Sequence, residues 1–232
     1  MTSRQKVRRR VRPRLSHDLA PVQLPRDDLS DDALLRELDF TGADLSGREA
    51  RLVDIEGCRL TSTTLAGSTL DKVTVSDSTL HQCDLANVTL AHSALTRVEL
   101  SGCRLTGLSA AELTMRHVSM RDCAGDLSSF RFASFTSVEL CDCGLQRADF
   151  TAADLSGAVF RRCDLTSAEL SQAKAANALF VDCTWEGIRG ITSLAGATIV
   201  NSSPIEALKF TAAMATGLGI ALGDPGDYPD PG

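Results

Sequence analysis

The chain has 232 residues, of which 43% are hydrophobic, 23% charged and 4% aromatic, with eight cysteines and a formal net charge of −6. Ordinary glycine and proline contents exclude a collagen-like or low-complexity chain, and no run approaches the ~18 apolar residues of a transmembrane helix. The charge is uneven: +3 over residues 1–37, −6 over 38–190 and −3 over 191–232.

Residues 1–14, MTSRQKVRRRVRPR, hold seven basic side chains and no acid. Such a block repels itself and is either a solvated tail or an arm for nucleic acid or an acidic partner. No aromatic residue is interleaved to stack on bases. The basic start leads into Pro13, Arg14 and polar residues rather than an apolar core, so no signal peptide is read. The expected location is the cytoplasm, with reduced thiols. Pro21 and Pro25 mark an extended linker, making residues 1–28 a basic, disordered arm and linker. Ser30 then suits an N-cap, and Asp31 and Asp32 suit a first turn. Residues 29–37 are therefore predicted as a short capping helix, with Leu34, Leu35 and Leu38 over the open end of the segment after it.

From Leu38 to Gly187 a large apolar residue falls on almost every fifth position. Of the 30 residues from 40 to 185 whose number is a multiple of five, 26 are large and apolar; the others are Ala50, Ala110, Gly125 and Ala175. The phase never slips. Two residues earlier stands a mostly small side chain, with Arg48 as the one charged member. The unit is small–polar–large–polar–polar, as in ADLSG, CDLAN and ADFTA. A period of five matches neither the ~3.6 of a helix nor the ~2 of a strand. It marks a repeat architecture whose units bury their faces only by stacking.

This repeat resembles that of the pentapeptide repeat family, whose consensus is Ala-(Asp/Asn)-Leu-x-x, over about two thirds of the chain. The resemblance implies an all-β solenoid: a right-handed quadrilateral β-helix with four pentapeptides per square coil. The central Leu or Phe and the small residue two before it both point inward. Cys83, Cys103, Cys123, Cys143, Cys163 and Cys183 recur at every fourth pentapeptide, which stacks them on one inner column. Coils at about 4.8 Å would then make a rod of roughly 36 Å. The column reads as a metal wire, a disulfide ladder, or a small apolar residue filling a narrow corner. A zinc site, with its ~4 converging ligands, does not fit a line of single thiols. Cys58 lies on a neighbouring column, and Cys141, off the inward registers, is expected to be exposed. Eight glycines, Gly42 and Gly107 among them, stand two after the central residue, where a tight corner accepts them best. Leu127 and Phe132 are apolar on outward positions and could form a surface patch.

Residues 188–200 lose the phase, with Leu194 and Ile199 one step early, and close the repeat region 38–200 as a degenerate coil. Ser203, Pro204 and Glu206 then form a strong helix start. Residues 201–222 are predicted as a C-terminal capping and dimerisation segment, helical over 204–216 with Gly217 as its stop. Ile205, Leu208, Ala212 and Ala215 share one face and Phe210 and Met214 another, which asks for two burials: the solenoid end and a partner chain. Residues 223–232 are an acidic tail.

His17, His81, His92 and His117 have no companion at a metal or triad spacing, and no phosphate loop or hydrolase motif occurs. No catalytic residue, cofactor, metal, membrane or small-molecule substrate is expected. The first functional reading is a scaffold or protein-interaction module, with its contact at Leu127 and Phe132 or on the basic arm. The alternative rests on the resemblance: quinolone-resistance members of the family are dimeric DNA mimics that bind DNA gyrase through an acidic rod. The candidate mimic surface is then Asp142, Asp149, Asp154, Asp164, Glu169 and Asp182, on outward registers of the half nearest the predicted dimer joint. Direct nucleic-acid binding by residues 1–14 is a third reading. Ile205, Leu208, Phe210 and Met214 are the predicted cap and homodimer contacts.

Overall fold

The computed structural model of the chain describes residues 10–220. The repeat folds as a four-sided, all-parallel β-solenoid. Its first side is a ten-stranded sheet that starts at Ala20–Pro21, continues through Leu38–Asp39, Arg59–Thr61 and Thr79–His81, and ends at Thr198–Val200. Partners on successive coils are four pentapeptides apart, as in Leu60 with Leu80 and Leu140 with Phe160. The last coil is one residue short, Phe180 pairing with Ile199, which is the phase slip visible in the sequence. The second side is a ladder of single bridges from Asp44–Thr64 to Asp164–Thr184. The third carries three strands and the bridges that extend them to Arg189, and the fourth carries six strands from Leu34–Arg36 to Ser134–Thr136.

A corner separates each side from the next. Every residue from 32 to 187 whose number ends in 2 or 7 has a positive φ. Only eight of these corners are glycine; the other 24 are side-chain-bearing residues at φ 48–63°, including Leu52, Phe132 and Arg162. None of the 24 is Val, Ile or Thr, the types for which the left-handed region is most crowded. Most corner N–H groups donate to the next coil, as from Leu52 N to the Asp71 carbonyl oxygen at 3.0 Å. Each corner is thus held by the same stacking that hides the core.

Inside, the two inward registers are buried throughout, from Phe40 to Trp185 and from Val53 to Cys183. Buried hydroxyls are satisfied locally: Ser68 Oγ donates to the Leu45 carbonyl at 2.9 Å and Thr63 Oγ1 to that of Phe40 at 2.5 Å. The N-terminal half is filled by leucine and leaves a narrow apolar cavity of about 50 Å³. The C-terminal half is filled by rings: Phe130 stacks on Phe150 at 5.3 Å and Phe160 on Phe180 at 4.7 Å.

The N-terminal end differs from expectation. No helix forms over 29–37. Asp32 and Glu37 are left-handed corners, and Leu34–Arg36 is the first strand of the fourth side, with Leu35 inward and Leu34 exposed. The repeat therefore begins one unit earlier than Leu38. The cap is Leu29, buried over the first coil, beside Asp28, whose carboxylate takes Arg48 Nε at 2.8 Å. That contact explains a charge on an inward register: at the open end, Arg48 can reach out to an acid. Residues 10–28, expected as the end of a disordered basic arm followed by an extended linker, lie along the rod. Ala20–Pro21 pairs with Leu38–Asp39, the Arg14 N–H donates to Asp77 Oδ1 at 3.1 Å, and Arg10 Nη1 is 2.8 Å from Glu99. Most of the basic block, residues 1–9, and the tail 223–232 lie outside the described residues.

If the corners set the fold, they should discriminate by backbone strain rather than by polarity. At the exposed corner Leu52, replacement by Thr should destabilise by about 1–2 kcal/mol relative to replacement by Gly. Urea melts of Leu52→Thr and Leu52→Gly test this; equal midpoints would contradict it.

Candidate functional site

The C-terminal end carries the one α-helix among the described residues, α1, Pro204–Gly217. Ser203 caps it, its side chain accepting the Glu206 N–H at 3.5 Å, and Pro204 opens the first turn. Gly217 is not its stop. A Cβ there would lie 2.9 Å from Ile191 Cγ2, so this glycine lets the helix close on the 3-10 turn Ile191–Leu194. The left-handed residue that ends the segment is Gly219, at φ 74°. Phe210, Ala213 and Met214 pack against the core, and the Phe210 ring meets Trp185 edge-on at 5.1 Å. The aromatic ladder thus runs out of the rod into the helix. The other face stays uncovered: Ile205 is 67% and Leu208 70% exposed, and Leu218 and Ile220 beyond the helix are also exposed. Of the first predicted face, Ile205 and Leu208 are exposed while Ala212 and Ala215 are half-buried; the second, Phe210 and Met214, packs on the rod. An open groove of about 660 Å³ separates α1 from the last coil, with Trp185, Arg189, Gly190, Lys209 and Thr216 among its walls.

The six candidate acids do not share one side. Asp142 and Asp182 occupy the corner column between the first and second sides. Asp164 lies on the second side, Asp149 and Glu169 are neighbours on the third, and Asp154 lies on the fourth. Three are ion-paired: Asp142 takes Arg162 through both oxygens at 2.6 and 2.7 Å, Asp149 meets Arg131 at 2.9 Å and Glu169 meets Arg189 at 3.1 Å. The others accept polar hydrogens: Asp154 from Ser156 N, Asp164 from Thr166 N and Gln146 Nε2, and Asp182 from Ser202 N. Arg97 with Asp77 and Arg104 with Asp84 repeat the Asp142–Arg162 arrangement. In each, the arginine follows its acid by one coil. The arginine hydrogen bond holds the carboxyls of Asp77, Asp84 and Asp142 below the ordinary range. For Asp149, burial raises the value, and bonds from Thr151 and Arg131 bring it lower on balance.

Sequence reasoning missed this pairing, although the one-coil separation between each arginine and its acid was the available signal. It also misplaced Cys141, which is buried. Its Sγ lies 3.7 Å from Glu139 Oε1, and Glu139 is flanked by Arg121 at 3.8 Å and Arg161 at 3.6 Å. Long neighbouring side chains cover a nominally outward thiol. All eight cysteines are free and buried, and burial raises the Cys58 thiol above its ordinary value. Leu127 and Phe132 are exposed as expected, but they stand on corners at opposite edges of the third side. The Arg131 guanidinium lies over the Phe132 ring at 5.6 Å. Among the described residues no group of three His, Cys, Asp or Glu could hold a metal ion, and no helix is long and apolar enough to cross a membrane.

The four-sided parallel solenoid is built from stacked pentapeptide repeats. The family model described as the pentapeptide repeat region matches residues 93–170. No curated protein matches the chain. Among solved structures it is similar to HetL, a pentapeptide repeat protein involved in heterocyst differentiation regulation from the cyanobacterium Nostoc, at 20% identity over 74% of this chain and 86% of that one, with a TM-score of 0.41. It is also similar to QnrB1, a plasmid-mediated fluoroquinolone resistance protein, at 21% identity over 87% of this chain and 94% of that one, with a TM-score of 0.35. Likeness at this level does not bear on what the chain binds.

The ion pairs make the surface sensitive to acid. A carboxyl whose folded pKa is depressed contributes stability above its unfolded value of about 3.9 and loses it as pH falls through the folded value. The melting temperature should therefore hold from neutral pH down to about pH 5 and drop below about pH 4. The drop should be shallower in the triple variant Arg97→Gln, Arg104→Gln, Arg162→Gln. Superimposable acid limbs would contradict the assignment.

Proposed function

We propose that this chain is a non-catalytic binding rod that pairs with a second copy through its C-terminal end and presents its sides to a protein partner. The observation that carries this reading is the outer face of α1. The C-terminal segment packs Phe210, Ala213 and Met214 on the rod but leaves Ile205 and Leu208 of the helix, and Leu218 and Ile220 after it, in water. Full burial of a leucine or isoleucine side chain contributes about 1.5–3 kcal/mol. A repeat end also needs a cover, and two copies meeting about a two-fold axis place the same apolar strip on itself. The sides of the rod suit a protein partner, since much of their negative charge is offset by arginines, as at Asp77, Asp84, Asp142, Asp149 and Glu169.

The DNA-mimic reading, with DNA gyrase as partner, draws on Asp154, Asp164 and Asp182, which carry no ion pair among the described residues. Against it, those acids face different directions, and arginine partners offset Asp142, Asp149 and Glu169. A supercoiling assay separates the two readings. A gyrase-directed mimic inhibits at low micromolar protein and loses the effect when Asp154, Asp164 and Asp182 become Lys. The scaffold reading expects no inhibition.

For self-association we expect light scattering to give twice the chain mass at micromolar concentration. The double variant Ile205→Asp, Leu208→Asp should give a folded monomer, with dissociation raised at least tenfold. A wild-type chain that stays monomeric at high micromolar concentration would end this proposal.

A further inference from the structure

Six thiols stand in one line inside the rod. Cys83, Cys103, Cys123, Cys143, Cys163 and Cys183 hold the same inward position on consecutive coils. The residues next to them in the chain pair in strict register: Asp84 with Arg104, Arg104 with Ala124, Ala124 with Gly144, Gly144 with Asp164, and Asp164 with Thr184. The side chains also point alike. For Cys83, Cys103, Cys143, Cys163 and Cys183, Sγ lies 3.4–3.7 Å from the carbonyl oxygen of the residue 23 places earlier. Like rotamers on stacked coils set successive sulfurs one inter-strand step apart, about 4.8 Å.

That step decides which chemistry the column can perform. A disulfide needs sulfurs about 2.05 Å apart and Cβ atoms about 3.8 Å apart, closer than in-register strands bring them. Two metal–thiolate bonds of about 2.3 Å laid end to end span about 4.6 Å, which is close to the coil step. An ion on the line between two neighbouring sulfurs therefore has two collinear ligands without movement of the backbone. Ions that need tetrahedral or octahedral shells lack the remaining donors, because no group of three ligating residues converges among the described residues. Thiolate ligands select soft ions. The dry surroundings favour a product without net charge, and a doubly charged ion between two thiolates meets that condition.

We propose that the cysteine column is a binding site for soft, two-coordinate metal ions, with mercury(II) as the type case, each held between thiolates of consecutive coils. In binding, two S–H bonds break, two S–Hg bonds form and two protons leave to solvent; no oxidation state changes. The pairs Cys83 with Cys103, Cys123 with Cys143, and Cys163 with Cys183 give three neutral sites. Cys58 and Cys141 stand off the column and have no in-line thiol. This proposal is independent of the partner that the outside of the rod binds.

The test is anaerobic titration of the reduced, full-length protein with mercury(II), followed by native mass spectrometry and by metal–thiolate absorption in the near ultraviolet. Far-ultraviolet circular dichroism monitors the fold. The comparison is the triple variant Cys103→Ala, Cys143→Ala, Cys183→Ala, which keeps five thiols but no two on consecutive coils of the column. Alanine is already buried in equivalent registers at Ala148, Ala158 and Ala178, so the variant should fold. We expect three ions per folded wild-type chain with the circular dichroism unchanged, and none in the variant. Uptake by the wild type only after denaturation, fewer than one ion per folded chain, or equal uptake by the variant would overturn the proposal.

Discussion

The rod depends on a left-handed corner at every fifth residue. A corner with a Cβ costs about 1–2 kcal/mol, and 24 of the 32 corners carry one. No single pentapeptide could hold that conformation alone. It persists because most corner N–H groups are bonded to the next coil and each turn delivers two side chains to the core. Strain and burial recur with the same period, so the fold is stable only as a stack. The absence of Val, Ile and Thr from the corners shows the constraint acting on composition directly, since threonine is common on the flat outward positions beside them.

The same constraint orders everything outside and inside the wall. A coil of four pentapeptides places like positions in columns, so a choice made once on a column meets itself on the next coil. On the outside this produces arginines that reach across to an acid on a neighbouring coil, as in Arg97 with Asp77 and Arg162 with Asp142. Inside it produces the thiol line and the stacked phenylalanines. The interior changes along the axis, from leucine with a small dry cavity to rings in contact. The ring series leaves the last coil through Trp185 and seats α1 by Phe210. The end that carries the exposed apolar helix is thereby fastened to the most tightly filled part of the rod.

Much of this was legible in the sequence. Counting by five identified the inward residues because the phase never slips, and the early Ile199 marked the shortened last coil. The N-terminal cap was not legible for a physical reason. Ser30, Asp31 and Asp32 favour a helix start as readily as a left-handed corner, and only the position of Leu35, itself in phase, distinguishes the two. The strap of residues 10–28 was read as a loose arm and linker because its contacts, Arg10 with Glu99 and Arg14 with Asp77, join positions far apart in the chain and leave no local pattern. Cys141 was misread because an outward register says where a side chain points, not what lies over it. Glu139 on its own coil, with Arg121 and Arg161 from the coils on either side, covers the thiol.

The central claim is that the phase of the repeat, rather than any particular side chain, holds the rod together. It is tested most directly by two internal deletions compared by far-ultraviolet circular dichroism and thermal melting. Removing residues 101–120 takes out one whole coil and joins Leu100 to Arg121 in phase. Removing residues 101–118 takes out nearly the same chain but breaks the phase for every later coil. The account predicts that the first protein keeps the native spectrum and a cooperative melt, slightly lowered, while the second loses both. Two deletions that fold equally well, or equally badly, would contradict it.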